Sequence, residues 1–246
     1  MWIIVIFILR FILVMSDIYN DGTYLNKAPT WHAENSKWKA SKIIKILQKN
    51  SITPYSLAEI GCGSGQILVE LKKLDKTNIF YTGYEISKDA FKICSVEATE
   101  KLSFIFGDGS DKSNKKHDVC LIADVFEHVD NYPLFLKDIK SSNLYKKYIF
   151  HIPLDISVLS VLRVYSILRS RRRFGHIHQF TKEIALEILS ECGYEVIDME
   201  FTFSATEINY TWKSKLLKYP RLLLYKLNAD LAVRLVGGAS LLVLAK

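Results

Sequence analysis

The residues best suited to chemistry fall at four places along this chain. Glu59-Ile60-Gly61-Cys62-Gly63-Ser64-Gly65 is an acid followed by three glycines at every second position. Glu85-Ile86 closes a second apolar run, Asp108 lies between two glycines after a third, and Asp124-Val125-Phe126-Glu127-His128-Val129 follows a fourth. Alternating glycines let a ligand approach the backbone with no Cβ in the way. A helix starting just beyond them points its free N–H groups at that ligand. The strand-end carboxylates supply acceptors for its donor groups. His128 could take a proton from a phenol or hydroxyl, or it packs beside the ligand and caps the next helix. Glu127 reads as a helix-start acid or as a second proton carrier. His151, beside Pro153, is a candidate substrate contact. His176 and His178 form an H-x-H pair, but with no third ligand at metal spacing they predict no metal site.

The elements that must carry these groups alternate. Ser36 is placed as N-cap of a helix through Gln48, striped by Trp38, Ile43, Ile44 and Leu47. Trp38 is read as a core anchor of that helix, and Trp31 as either a lid or a second anchor. Then come the pivotal strand and glycine loop, a helix over 66–74, a strand over 79–84, and a helix from Ser87 to about Thr99. Further strands are expected at 102–106, 119–123 and 148–152, with a helix over 132–139 before the last. Nearly continuous apolar strands separated by helices mean a parallel sheet covered on both faces, with ligands at the carboxyl ends. All four chemical clusters lie at such ends. Beyond them, a helix from Ile156 ends at Arg171-Arg172-Arg173, Thr181 caps a helix ending at Cys192, and a strand spans 194–203. A helical stretch over 222–235 separates that strand from a last one at 239–245. The long excursion makes the final two strands an antiparallel pair at the sheet edge.

The glycine spacing separates two ligand classes. A nicotinamide site takes G-x-G-x-x-G after its first strand. Here the third glycine comes one position early, and Gln66 stands where the last dinucleotide glycine would be. With the acids downstream, residues 55–200 and the final strand resemble the class I S-adenosylmethionine-dependent methyltransferases. Asp124–Val129 is similar to the D-x-x-E-H-V run of the group that contains quinone, sugar and lipid methyltransferases. The resemblance implies a Rossmann-like α/β fold, a seven-stranded sheet that is mostly parallel with an antiparallel last strand. It implies S-adenosylmethionine as cofactor, against Glu59, Gly61, Cys62, Gly63, Gly65, Glu85, Ile86, Asp108 and Asp124. Glu85 would take both ribose hydroxyls, as one carboxylate can, and Asp108 the adenine amino group.

Composition bounds the rest. The 246 residues carry a net charge of +7, and 49% are apolar, enough for one large α/β domain. Residues 156–182 hold six basic residues and no acid, and residues 208–229 hold five and no acid. The other 22 bases face 26 acids, so a mildly acidic body carries two basic, apolar-rich segments. In the resembled family, inserts at these places (about 155–180 and 205–236 here) cap the substrate. A cationic, apolar cap suits an anionic amphiphile or an anionic membrane surface, with Arg171 and Arg172 as candidate contacts. Nucleic acid is disfavoured, because no [DNS]-P-P-[FY] motif follows the fourth strand. Four scattered cysteines suit a reducing, cytoplasmic setting. Residues 1–16 are an apolar extension, read as a spurious upstream start or a membrane anchor, and residues 17–54 an arm and helix before the main domain of 55–246. The expected reaction is methyl transfer to an oxygen of a small, lipid-like or glycan-linked acceptor. The competing readings are a nicotinamide-dependent reductase and a non-catalytic docking protein of the same fold.

Overall fold

The computed structural model describes residues 33–207 and 212–246. The apolar extension, most of the arm and Trp31 lie outside the described residues, as do the side chains of Lys213, Lys215, Lys218 and Arg221. Seven strands form one sheet in the order β3-β2-β1-β4-β5-β7-β6. They are β1 (Ser56–Ile60), β2 (Phe80–Glu85), β3 (Leu102–Phe106), β4 (His117–Ala123), β5 (Tyr145–Pro153), β6 (Val196–Thr202) and β7 (Ser240–Ala245). The first five run parallel, and β7 lies antiparallel between β5 and β6. The fold class and the antiparallel final pair are those the sequence predicts.

Strand periodicity divides the core. Side chains alternate between faces along a strand, so Ala58, Ile60, Cys120, Ile122, Tyr148 and Phe150 enter one apolar layer. Helices α4 (Tyr132–Ser141) and α7 (Lys182–Glu191) cover that layer through Leu136, Ile139, Ala185 and Leu189. Leu57, Val119, Leu121 and Ile149 point to the other face. Helices α1 (Ser36–Lys49), α2 (Gln66–Leu74) and α3 (Lys88–Ser95) close that side with Ile43, Leu68 and Cys94. Glu59 shares the face of Leu57, which aims a carboxylate at α1.

Helix α2 approaches the sheet so closely because of Gly65. This residue adopts φ +73°, and a Cβ on it would lie 2.6 Å from a Phe104 ring carbon and 2.9 Å from Cys94 Cβ. Helix α1 starts one step differently from expectation: a short 3-10 turn, Ala33–Asn35, precedes it, and Ser36 is its buried first residue rather than its cap. Helix α3 is capped by the Ser87 hydroxyl as predicted but stops at Ser95, because Thr99 turns back to pair with Leu102. Strands β4 and β5 begin earlier than their apolar runs, where His117 stacks on Tyr145 at 6.1 Å.

The two basic segments depart most from expectation. The first is not one helix: α5 (Val158–Arg163) and α6 (Tyr165–Arg169) are separated by Val164 at φ +45°, and a π-helical turn, Ser170–Phe174, ends at Gly175. After the short α8 (Ser204–Glu207), α9 runs Trp212–Val236, starting well before Leu222. It is interrupted at Asn228, whose carboxamide oxygen accepts from Leu231 N–H and restarts the helix.

Two substitutions test this packing. Phe150 is fully buried among Tyr148, Tyr194 and Phe126, so Phe150→Ala costs about 3–5 kcal/mol of unfolding free energy. Gly65→Ala combines a left-handed backbone with overpacking and costs about 2–4 kcal/mol. Urea denaturation followed by circular dichroism measures both.

Candidate active site

The loop after β1 is pinned to the end of β2. Gly61 and Cys62 N–H both donate to the Tyr84 carbonyl, at 2.9 and 3.1 Å. Gly63 N–H donates to Glu85 Oε2 and Ser87 N–H to Glu85 Oε1, each at 2.7 Å. Burial raises the Glu85 pKa, although the backbone N–H groups around it oppose the rise. Each carboxylate oxygen accepts about two hydrogen bonds, so both keep acceptor capacity towards the open side. Asp108 Oδ1 accepts from Ser110 N–H and hydroxyl, both at 2.9 Å, in a turn that directs the rest of the carboxylate outwards.

A second group of charges links α1 to the ends of β4, β5 and β6. Lys39 Nζ lies 2.6 Å from Asp124 Oδ2, and His151 Nδ1–H donates to Asp124 Oδ1 at 2.6 Å. His151 Nε2 is 3.0 Å from the Thr202 hydroxyl. Burial alone would raise the Asp124 pKa, but Lys39 and His151 outweigh it and hold this carboxyl well below the usual range. Asp124 reaches both partners from φ +53°, with its N–H donating to the His151 carbonyl. Glu59 is different. It is 1% exposed, Oε2 has no hydrogen-bond partner, and burial pushes its pKa well up despite Lys39. A buried carboxylate with an orphaned oxygen at the mouth of the glycine loop fits a ligand that brings an ammonium group.

These groups open on one cavity of about 1730 Å³. Its walls include Glu59, Gly61, Cys62, Gly63, Glu85, Ile86, Asp108, Asp124, His128 and His151. Four expectations need correction. Gly65 does not line the cavity; its missing Cβ makes room for Phe104, so it serves helix packing. Glu127 is fully buried behind His128 and does not reach the cavity wall. Arg171 and Arg172 are exposed on the outer side of the π-helical turn, and Arg171 donates to the Ile177 carbonyl; the arginine on the cavity is Arg163. Trp38 is half-buried on the cavity wall rather than a core anchor, its indole N–H donating to Glu207 at 2.7 Å. Lys39 and Thr202 escaped sequence reading because nothing local marks a lysine whose partner lies 85 residues away.

Glu127, behind the wall, comes together with the wall residues His128 and His176, each offering one ligand-type atom within 4.8 Å of the others. Burial is the main cause of a Glu127 pKa of about 8, with Asp124 adding to it and His176 opposing it. His178 turns away to the Val129 and Asp130 carbonyls. The H-x-H pair is therefore split, and the companions of His176 come from the D-x-x-E-H run 48 residues earlier.

Residues 58–142 match the family described as "Methyltransferase domain". A comparison with curated proteins finds no match. Solved structures share the fold at low identity. A SAM-dependent methyltransferase from Archaeoglobus fulgidus is 19% identical, with 87% of this chain and 94% of that one covered and a TM-score of 0.57. Magnesium protoporphyrin IX methyltransferase from Synechocystis, with bound SAH, is 15% identical over 85% of this chain and 82% of that one, at TM-score 0.55. The plantazolicin methyltransferase, also with SAH, is 19% identical over 91% and 87%, at 0.54. The chain thus carries a methyltransferase domain match at residues 58–142, on a sheet that shares the fold of S-adenosylmethionine-dependent methyltransferases.

Proposed function

We propose that this enzyme methylates an oxygen on a small, lipid-like or glycan-linked acceptor and that it works at an anionic membrane surface from the cytoplasmic side. The single observation that carries the acceptor reading is the extent of the cavity. At about 1730 Å³ it exceeds the roughly 300–1,000 Å³ of a typical ligand pocket, leaving room for two reactants. One end is the glycine loop with Glu85 and Asp108. The other is a mixed wall, with Leu154, Leu159, Phe174 and Val236 set among Asp155, Arg163 and the serines of the first basic segment. Structural neighbours include methyltransferases for a porphyrin and for plantazolicin, both small molecules.

The bound donor supplies a methyl carbon on a sulfonium sulfur, open to displacement. The chain's own residues do the rest. Glu85 and Asp108 fix a diol and an amine at one end, and Glu59 meets an ammonium group. The cap holds the acceptor oxygen in line behind the methyl carbon, an alignment that supplies most of the rate gain. His128, on the wall, receives the acceptor's proton as the new carbon–oxygen bond forms and the carbon–sulfur bond breaks. Neither a nicotinamide cofactor nor a purely docking role accounts for the combination of early third glycine, Gln66 and paired strand-end acids.

The membrane reading rests on α5 and α6. Leu162 is 77% exposed, Tyr165 70%, Val164 54% and Val161 53%, beside Arg163, Arg169 and Arg171–Arg173. Among the described residues no helix is long and apolar enough to cross a membrane. Surface attachment by such a patch combines apolar insertion with attraction to anionic lipid.

Three measurements check the proposal. Glu85→Ala weakens S-adenosylhomocysteine binding by at least about 100-fold in calorimetry, the cost of losing two charged hydrogen bonds. Labelled methyl donor incubated with protein and host extract puts label into the lipid or polar small-molecule fraction; label confined to RNA or protein overturns the acceptor class. Changing Arg171, Arg172 and Arg173 together to Gln lowers binding to anionic vesicles by roughly 100-fold, at about 1 kcal/mol per charge. Equal binding to neutral and anionic vesicles would remove the surface role.

A further inference from the structure

Glu127 is the acid of the D-x-x-E-H run that neither the Lys39–Asp124–His151 group nor the proposed transfer uses. It sits in the 3-10 turn Phe126–His128, fully buried, and neither side-chain oxygen has a hydrogen-bond partner. Leaving a carboxylate so placed is costly unless something positive meets it. Its polar neighbours are two imidazoles. His128 Nε2 lies 3.7 Å from Glu127 Oε1, and His176 completes the group within 4.8 Å.

Both rings are oriented from behind. His176 Nδ1 is 2.5 Å from Asp155 Oδ2, and His128 Nδ1 is 3.1 Å from the Gly175 carbonyl oxygen. Carboxylate and carbonyl oxygens only accept, so each ring carries its proton on Nδ1 and keeps a lone pair on Nε2, the nitrogen that His128 turns towards Glu127. Imidazoles tied through Nδ1–H to a carboxylate or a carbonyl are the usual second layer around metal-bound histidines. The polypeptide also holds the cluster together. The Glu127 carbonyl accepts from both Ile177 and His178 N–H, at 3.0 and 3.1 Å, which locks the His176 loop onto the turn.

We propose that Glu127, His128 and His176 form a site for one divalent first-row transition metal ion, with its open coordination position facing the cavity. Two imidazole nitrogens and one carboxylate suit Zn²⁺, Mn²⁺, Fe²⁺ or Co²⁺. They do not suit Ca²⁺, which takes six to eight oxygens. Tetrahedral ligands at about 2.1 Å from an ion stand roughly 3.4 Å apart. The Glu127–His128 pair is already near that spacing, and His176 closes by about 1.4 Å at most. His128 and His176 line the cavity while Glu127 does not, so the ion is anchored from behind and open in front. What the open position takes rests on the methyltransferase reading: an acceptor oxygen, whose proton is then lost to cavity water. In that loaded state His128 is a ligand and no longer the base.

The test needs neither donor nor acceptor. The full chain is stripped with chelator, dialysed, and titrated with Co²⁺ under visible spectroscopy and with Zn²⁺ by calorimetry. The expected result is one ion per chain, a d–d absorption band on Co²⁺ addition, and a rise in Tm that chelator reverses. His176→Ala and Glu127→Gln each weaken binding by at least 100-fold. Asp155→Asn, which alters a positioning residue, weakens it 10- to 100-fold. Stoichiometry well below one, or the same affinity in wild type and His176→Ala, overturns the site. If the variants do not fold, the wild-type Co²⁺ band decides alone. S-adenosylhomocysteine binding on the same samples reports the donor site separately, so failure of one reading leaves the other standing.

Discussion

The attachment of the glycine loop to the end of β2 is the constraint on which the site depends. Tyr84 offers its carbonyl to two loop N–H groups, and Glu85 offers its carboxylate to a third. Glu85 therefore has two tasks. It closes the loop against the sheet through Gly63 and Ser87, and in the proposed function it also takes the ribose diol. Gly65 completes the arrangement from the other side by letting α2 settle onto Phe104. A backbone this tightly held gives the donor a preorganised bed, which is what an alignment-driven transfer requires.

Opposite that bed, charge is arranged in two depths. Near the surface of the cavity, Asp124 is neutralised by Lys39 and His151, so its negative charge is already spent within the fold. Deeper, Glu127 has no such partner, and burial holds its proton to about pH 8. The D-x-x-E-H run thus supplies one acid that stitches α1 to the sheet and another that waits behind the wall. The three-residue spacing separates them because the chain turns through a 3-10 segment immediately after β4.

The far end of the cavity is built by elements that come late in the chain. The first basic segment borders the cavity through Leu159, Ser160, Arg163 and Phe174 and is broken at Val164, while Arg171 and Arg172 are exposed away from the cavity lining. One segment thereby borders the cavity on one side and presents exposed apolar and basic residues on the other.

Much of this was legible in the sequence. Period-two burial and the alternation of strand with helix specify the sheet, since each strand must be covered on both faces. The early third glycine and the acids after β2 and β3 point to the donor class, because those residues are close to one another in the chain or at strand ends. Strand ends share one edge by topology, so no tertiary detail is needed to bring Gly61, Glu85 and Asp108 together. What only the tertiary structure decided are pairings across long separations. Lys39 with Asp124, His151 with Thr202, and His176 with Glu127 join elements whose relative rotation no local pattern records. The placement of a side chain on a broken helix is equally hidden: Arg163 and Arg172 look alike in sequence and both are exposed, but only Arg163 of the two borders the cavity.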